Sequence, residues 1–209
     1  MKTPLWMAIW VLVLELVVIL ILIPGNWTDQ AIIKETSYVE QSHGKETAEW
    51  AKKQAQTWFQ SSIIDSGLYA ATHHFMFPTE QERLNSAGLE NFGEHIFIWA
   101  EGRLDALTAV IFHFYLRFAV VMLWAPYMLI LLLPAVYDGV LTRKIKQTDF
   151  AYASPTLHRY SIRLLCGLVI GMFIAFFMPV AMNPMLIPII LMMCCVFMGI
   201  AWGNFQKRI

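Results

Sequence analysis

A chain of 209 residues that is 58% hydrophobic and only 14% charged is too apolar for a soluble domain; such domains are roughly 45–50% apolar and about 25% charged. Fifteen basic residues balance fifteen acidic ones, which argues against a globally basic nucleic-acid binder. No G-x-x-x-x-G-K-[ST] loop occurs, so the chain is not a P-loop ATPase. The three cysteines, Cys166, Cys194 and Cys195, all lie inside apolar runs, which excludes a disulfide-stapled exterior domain.

The first apolar run extends from about Leu5 to Ile23 and ends at Pro24-Gly25. It is too long for a signal-peptide core and no small-residue cleavage site follows, so it reads as an uncleaved anchor. Three further runs occupy about Phe118–Val136, Ile162–Val180 and Met185–Trp202, each long enough for a hydrocarbon core roughly 30 Å thick. Pro126 lies inside the second, and Pro179, Asn183, Pro184 and Pro188 mark a turn between the third and fourth. The fold class expected is all-α, a polytopic membrane protein with four transmembrane helices.

Lys and Arg set the orientation. Gly25–Leu104 carries six basic residues against eleven acidic, whereas Tyr137–Arg163 carries Arg143, Lys144, Lys146, Arg159 and Arg163 against Asp138 and Asp149. Both termini are then cytoplasmic, in a bacterial inner membrane. The expected organisation is an anchor (1–24), a periplasmic helical segment (25–104), a second span with its periplasmic extension (105–136), a basic cytoplasmic loop (137–161), a hairpin of two spans (162–204) and a cytoplasmic tail (205–209).

In the long segment, Ala48, Ala51, Ala55, Trp58 and Phe59 recur at helical steps, with Lys52, Lys53 and Gln56 turned away. Trp50, Trp58 and Phe59 are its candidate packing residues. A second helix is expected near Thr79, where Thr79-Glu80-Gln81-Glu82 reads as a capping box, with an interruption at Gly88 or Gly93. Glu94–Arg117 is amphipathic and continues into the second span. The segment is short for a core of its own and is expected to pack on a partner or a second copy.

Glu15, in Val-Leu-Glu-Leu-Val, stands in the middle of the first span, where an ionisable group is costly and functional by default. At 1.5 Å per residue it lies roughly 16 Å from the cytoplasmic face and Arg117 roughly 30 Å, so the two are not expected to meet. Arg117 is expected to snorkel to the outer interface. Glu15 then reads as a carboxyl holding a helix or subunit interface, with an ion or proton path as the alternative. Gly167, Gly171 and Ala175, and Gly199 with Gly203, fall at four-residue steps that favour close helix pairing in lipid, and predict a tight hairpin of the last two spans. The paired His73-His74, with His95 and His113 further on, lack partners at ligand spacing, and no nucleophile motif occurs, so no cofactor, metal or enzymatic activity is expected. Asp138-Gly139 reads as a helix-end turn. The segment Tyr137–Tyr160 could be a topology signal or a docking site, with Asp138, Arg143, Lys144, Lys146, His158 and Arg159 as contact residues. Three clustered cations are too few for strong DNA affinity, so direct sequence-specific nucleic-acid binding is not expected.

Leu133-Pro134-Ala135, then Asp138-Gly139-Val140-Leu141-x-Arg143-Lys144, then Ser154-x-x-x-His158-Arg159 entering a span, together resemble an inner-membrane protein family of integrating conjugative elements and conjugative plasmids. The layout is similar too, with an N-terminal anchor, a helical external segment carrying Trp58-Phe59, and a C-terminal hairpin. Lys144 and Lys146 depart from the more Arg-rich family pattern. The resemblance implies a place in conjugation machinery, beside the TraD-type coupling ATPase, a hexameric motor that brings the relaxase-bound strand to the type IV secretion channel. On that basis the chain reads as a non-enzymatic accessory subunit whose partners are the coupling ATPase, other secretion subunits, membrane lipid and further copies of itself. A small transporter centred on Glu15 and an exclusion or membrane-remodelling protein acting through its periplasmic cap are the alternatives.

Overall fold

The computed structural model describes residues 2–22, 25–77, 90–149 and 153–205. Every regular element among them is helical. In chain order these are α1 (Lys2–Leu22), α2 (Gly25–His43), α3 (Lys45–Phe59) continuing as a π-helical turn (Gln60–Ile64), α4 (Leu68–Met76), α5 (Glu90–Thr148), α6 (Pro155–Phe177) and α7 (Leu186–Gly203). Gly44, at φ +87°, separates α2 from α3 in a backbone region that residues with a Cβ rarely adopt. The chain forms two compact units, residues 1–119 with 176–182 and residues 120–175 with 183–209.

In the first unit α3 forms where its alanine stripe predicts, with Ala48, Ala51 and Ala55 buried. Trp58 packs on Phe118 of α5 at 5.4 Å between rings, and Phe59 meets Phe112 edge-on at 6.0 Å. Trp50 stays 44% exposed. On α1, Ala8, Leu12, Glu15, Leu16 and Ile19 are the less exposed positions and trace a helical stripe, while Trp6, Trp10, Leu14 and Leu22 face outward.

Helix α5 runs unbroken for 59 residues. The expected interruption at Gly93 does not occur, because a single Gly weakens a helix by only about 1 kcal/mol. Gly88 and the capping box at Thr79 lie outside the described residues. The same helix continues through Pro126, Pro134 and Asp138-Gly139 to Thr148, so Asp138-Gly139 is not a helix-end turn. Three helices are long and apolar enough to cross a membrane: Trp99–Thr148 within α5, α6 and α7. The apolar part of α1 described, Trp6–Ile19, is shorter than that.

In the second unit α5 and α7 approach closely at small residues. A Cβ added to Gly139 would stand 2.6 Å from the Gly199 carbonyl oxygen, and one on Gly199 would stand 2.9 Å from that of Ala135. Gly203 packs on Thr142. Gly167 and Gly171 instead have open space where a Cβ would go. The close pairing expected between the last two spans is thus made by α7 with α5, because Gly139 and Ala135 supply the complementary small surface. α7 starts after Asn183, whose side chain accepts from the Met185 N–H and whose carbonyl accepts from the Leu186 N–H. Pro188 then falls in the first turn, where its missing donor is not needed.

Candidate functional site

The first unit encloses an ionic node. On α2, Thr28, Ala31, Glu35 and Val39 are buried at steps of three and four, so the inward stripe of this helix carries a carboxylate. On α5, His113 and Arg117 stand one turn apart among Ala106, Val110, Leu116 and Ala119, all buried. Arg117 is 1% exposed, His113 1% and Glu35 5%. Arg117 Nε donates to Glu35 Oε1 at 2.9 Å and its Nη2 to Oε2 at 2.7 Å, the two-pronged geometry that a planar guanidinium makes with a carboxylate. His113 Nε2 donates to Glu35 Oε2 at 2.9 Å, which assigns the proton to that nitrogen, since a carboxylate only accepts.

The remaining valences reach the break after α6. Arg117 donates to the carbonyls of Phe176, Met178 and Val180, and the Met182 N–H donates to Glu35 Oε2 at 3.1 Å. Trp27 Nε1 adds a bond to the Pro179 carbonyl at 2.8 Å, and Phe114 stacks on Phe177 at 4.8 Å. A proline-interrupted segment leaves carbonyls without a full set of its own donors (here only Met178 accepts from within it, from the Val180 N–H at 2.8 Å), and an arginine is the side chain with enough donors to reach three. The node therefore clamps residues 176–182 onto α2 and α5.

Arg117 does not snorkel. Snorkelling relieves an uncompensated charge, and here Glu35 compensates it from inside. Among the described residues Arg117 forms no ion pair with Glu15; its donors go to Glu35 and to the carbonyls of Phe176, Met178 and Val180. Glu15 stands on the inward stripe of α1, half-buried, and its Oε2 has no hydrogen-bond partner among the described residues.

Burial alone would raise the Glu35 carboxyl, but the hydrogen bonds and charges of His113 and Arg117 outweigh it and hold the group down from its ordinary 4.5 to about 2. A carboxyl lowered in the folded state stabilises the fold fully above its unfolded value and loses that contribution as pH falls through the folded one. The window is therefore from 4.5 down to about 2. Infrared difference spectra should show the Glu35 carboxylate band, assigned by its absence in Glu35→Gln, persisting at pH 4. A protonated carboxyl stretch at that pH would mean that the clamp does not hold the charge.

The other sequence candidates fall elsewhere. In the second unit, Lys146 Nζ donates to Asn204 Oδ1 at 2.8 Å, His158 Nδ1 donates to the Ala201 carbonyl at 2.8 Å, and Arg143 lies over the Phe205 ring at 5.0 Å. Asp138, Lys144 and Arg159 are exposed. Ala175 is half-buried on α6. His73 and His74 are exposed at the end of α4, with His73 tilted against Phe77 at 4.5 Å, and the side chain of His95 lies outside the described residues. Among the described residues no group of three or more His, Cys, Asp or Glu side chains could hold a metal ion. Glu35 and His113 are the site residues that sequence reasoning missed. Their signal was present as a carboxylate on the inward stripe of α2 and a His/Arg pair at i, i+4 on α5.

Three helices long and apolar enough to cross a membrane, with no strand among the described residues, suggest a helical membrane-inserted protein, and its first unit carries a buried arginine clamp. The chain belongs to the DtrJ-like family: residues 27–206 match its model, described as IncC plasmid conjugative DNA transfer protein DtrJ-like. Membership gives the chain a role in conjugative DNA transfer and bears out the resemblance to a conjugative-element protein family. Neither the curated proteins nor the solved structures give a match.

Proposed function

We propose that this protein is a non-enzymatic accessory subunit of the conjugative DNA-transfer apparatus in the bacterial inner membrane, bound through its membrane helices to the coupling ATPase. Membership of a conjugative DNA-transfer family across residues 27–206 carries the reading. The chain has no P-loop, so the energy for moving DNA comes from a partner. In this reading the chain crosses the membrane four times, α1 included, with both termini cytoplasmic and residues 25–104 in the periplasm, as the Lys and Arg distribution favours.

The outward character of the spans supports a helix partner. Gly167 and Gly171 present an open small-residue face on α6. An apolar hollow of about 430 Å³ opens in the second unit among Val121, Met128, Leu165, Val169, Leu191 and Met198. Small faces and apolar hollows let a further helix approach in lipid, where hydrophobicity gives no pairing force. Mild-detergent purification of the tagged full chain from a conjugating donor, followed by mass spectrometry, should recover the hexameric coupling ATPase in stoichiometric amount. Recovery of a homo-oligomer with no ATPase would overturn the proposal.

A further inference from the structure

The second unit gathers five cations at one end of its helices. The bonds from Lys146 to Asn204 and from His158 to the Ala201 carbonyl, with Arg143 over Phe205, bring the end of α5, the start of α6 and the end of α7 together. All three partners are neutral, so none of them is a counter-charge to Arg143 or Lys146. Lys144, Arg159 and Arg163 are exposed and have no acceptor among the described residues. Asp138 and Asp149 are the carboxylates of this stretch; both are exposed and neither forms an ion pair among the described residues. Five positive charges against two negative leave this stretch a net +3, and no ion pair among the described residues neutralises it.

The surroundings of these cations are not those of a water-facing surface. Tyr137 is 65% exposed, Tyr160 62% and Ile145 57%, with Leu141, Leu157 and Leu164 exposed beside them. On α5, Tyr137, Leu141, Lys144 and Ile145 recur at helical steps, opposite the face that Gly139, Thr142, Arg143 and Lys146 turn to α7. Tyrosines, leucines and cations sharing one face match the depth at which acyl chains give way to phosphates.

We propose that this end of the second unit binds the phosphate headgroups of anionic phospholipid, with Lys144, Arg159 and Arg163 as the contact cations and Tyr137 and Tyr160 at headgroup level. Arg143 and Lys146 are held by the protein and supply field without direct contact. An acidic soluble partner would fit the charge but not the exposed Tyr, Leu and Ile between the cations. The inference rests on membrane insertion of α5, α6 and α7 and is independent of the coupling ATPase.

Native mass spectrometry of the full-length protein, with phosphatidylglycerol and phosphatidylcholine of equal chain length added in competition, tests it. The wild type should retain phosphatidylglycerol preferentially, and the preference should fall as salt rises. Each of Lys144→Gln, Arg159→Gln and Arg163→Gln should lower it roughly fivefold, with Arg159→Lys restoring it. Because these side chains are exposed, the single variants keep their fold, which helical circular dichroism verifies. Equal retention of the two lipids by the wild type, or unchanged preference in all three variants, overturns the proposal. So does an acidic protein partner lost from the variants while lipid preference stays the same.

Discussion

Arg117→Met is expected to be the most damaging single substitution in the chain, with a loss of about 3–5 kcal/mol in denaturant titration of the purified protein in mild detergent. It leaves Glu35 as a buried carboxylate without its main counter-charge and strips the donors from the carbonyls of Phe176, Met178 and Val180. Glu35→Gln should cost a similar amount for the mirror reason, since the guanidinium stays buried without compensation and the Met182 N–H loses a charged acceptor. Replacing both by Met removes both charges. The pair should therefore lose less than Arg117→Met alone, while remaining below wild type because the carbonyls of the α6–α7 break stay unsatisfied. Exchanging the residues, Glu35→Arg with Arg117→Glu, should fail to restore stability, because a glutamate at 117 cannot donate to three carbonyls. Full recovery by the exchange would reduce the node to a simple ion pair. Single variants within about 1 kcal/mol of wild type would remove its structural role altogether.

Gly139→Leu and Gly199→Leu are expected to force α5 and α7 apart in the second unit. Even the first carbon of the new side chain would meet backbone, at 2.6 Å for Gly139 and 2.9 Å for Gly199, and backbone cannot rotate away as a flexible side chain can. Overpacking of this kind costs about 1–3 kcal/mol, and here it should also break the Lys146–Asn204 bond that depends on the same approach. Gly167→Leu and Gly171→Leu are the matched controls. Both positions are open, so stability should stay within about 0.5 kcal/mol of wild type. Disulfide crosslinking between cysteines placed at Thr142 and Gly203 reports the same distance directly, and should be lost in the first pair of variants and kept in the second. An unaffected crosslink in Gly139→Leu would mean that the helices do not approach there.

The two substitutions separate what a sequence states from what it leaves open. The apolar, all-helical character, the long helix through the second apolar run and the alanine stripe of α3 were all legible, because composition and hydrophobic period are local properties that a helix displays within a few turns. The motif glycine at 139 was legible as a residue but not as a contact. Its need for a bare Cα comes from a carbonyl at position 199, which only the packing of α7 brings there.

The clamp lay further out of reach. Glu35 and Arg117 are 82 residues apart in the chain, and each by itself looks like an ordinary charge beside an apolar run. Nothing local says that one will neutralise the other, or that a proline-broken segment near residue 180 will take up the remaining donors. The same holds for the basic stretch. Sequence counted its five cations, but only the tertiary structure divided them into two held by Asn204 and Phe205 and three left facing outward. Periodicity fixes which face of a helix is buried; which charges meet across that burial is decided by pairings between distant segments, and those exist only once the helices pack.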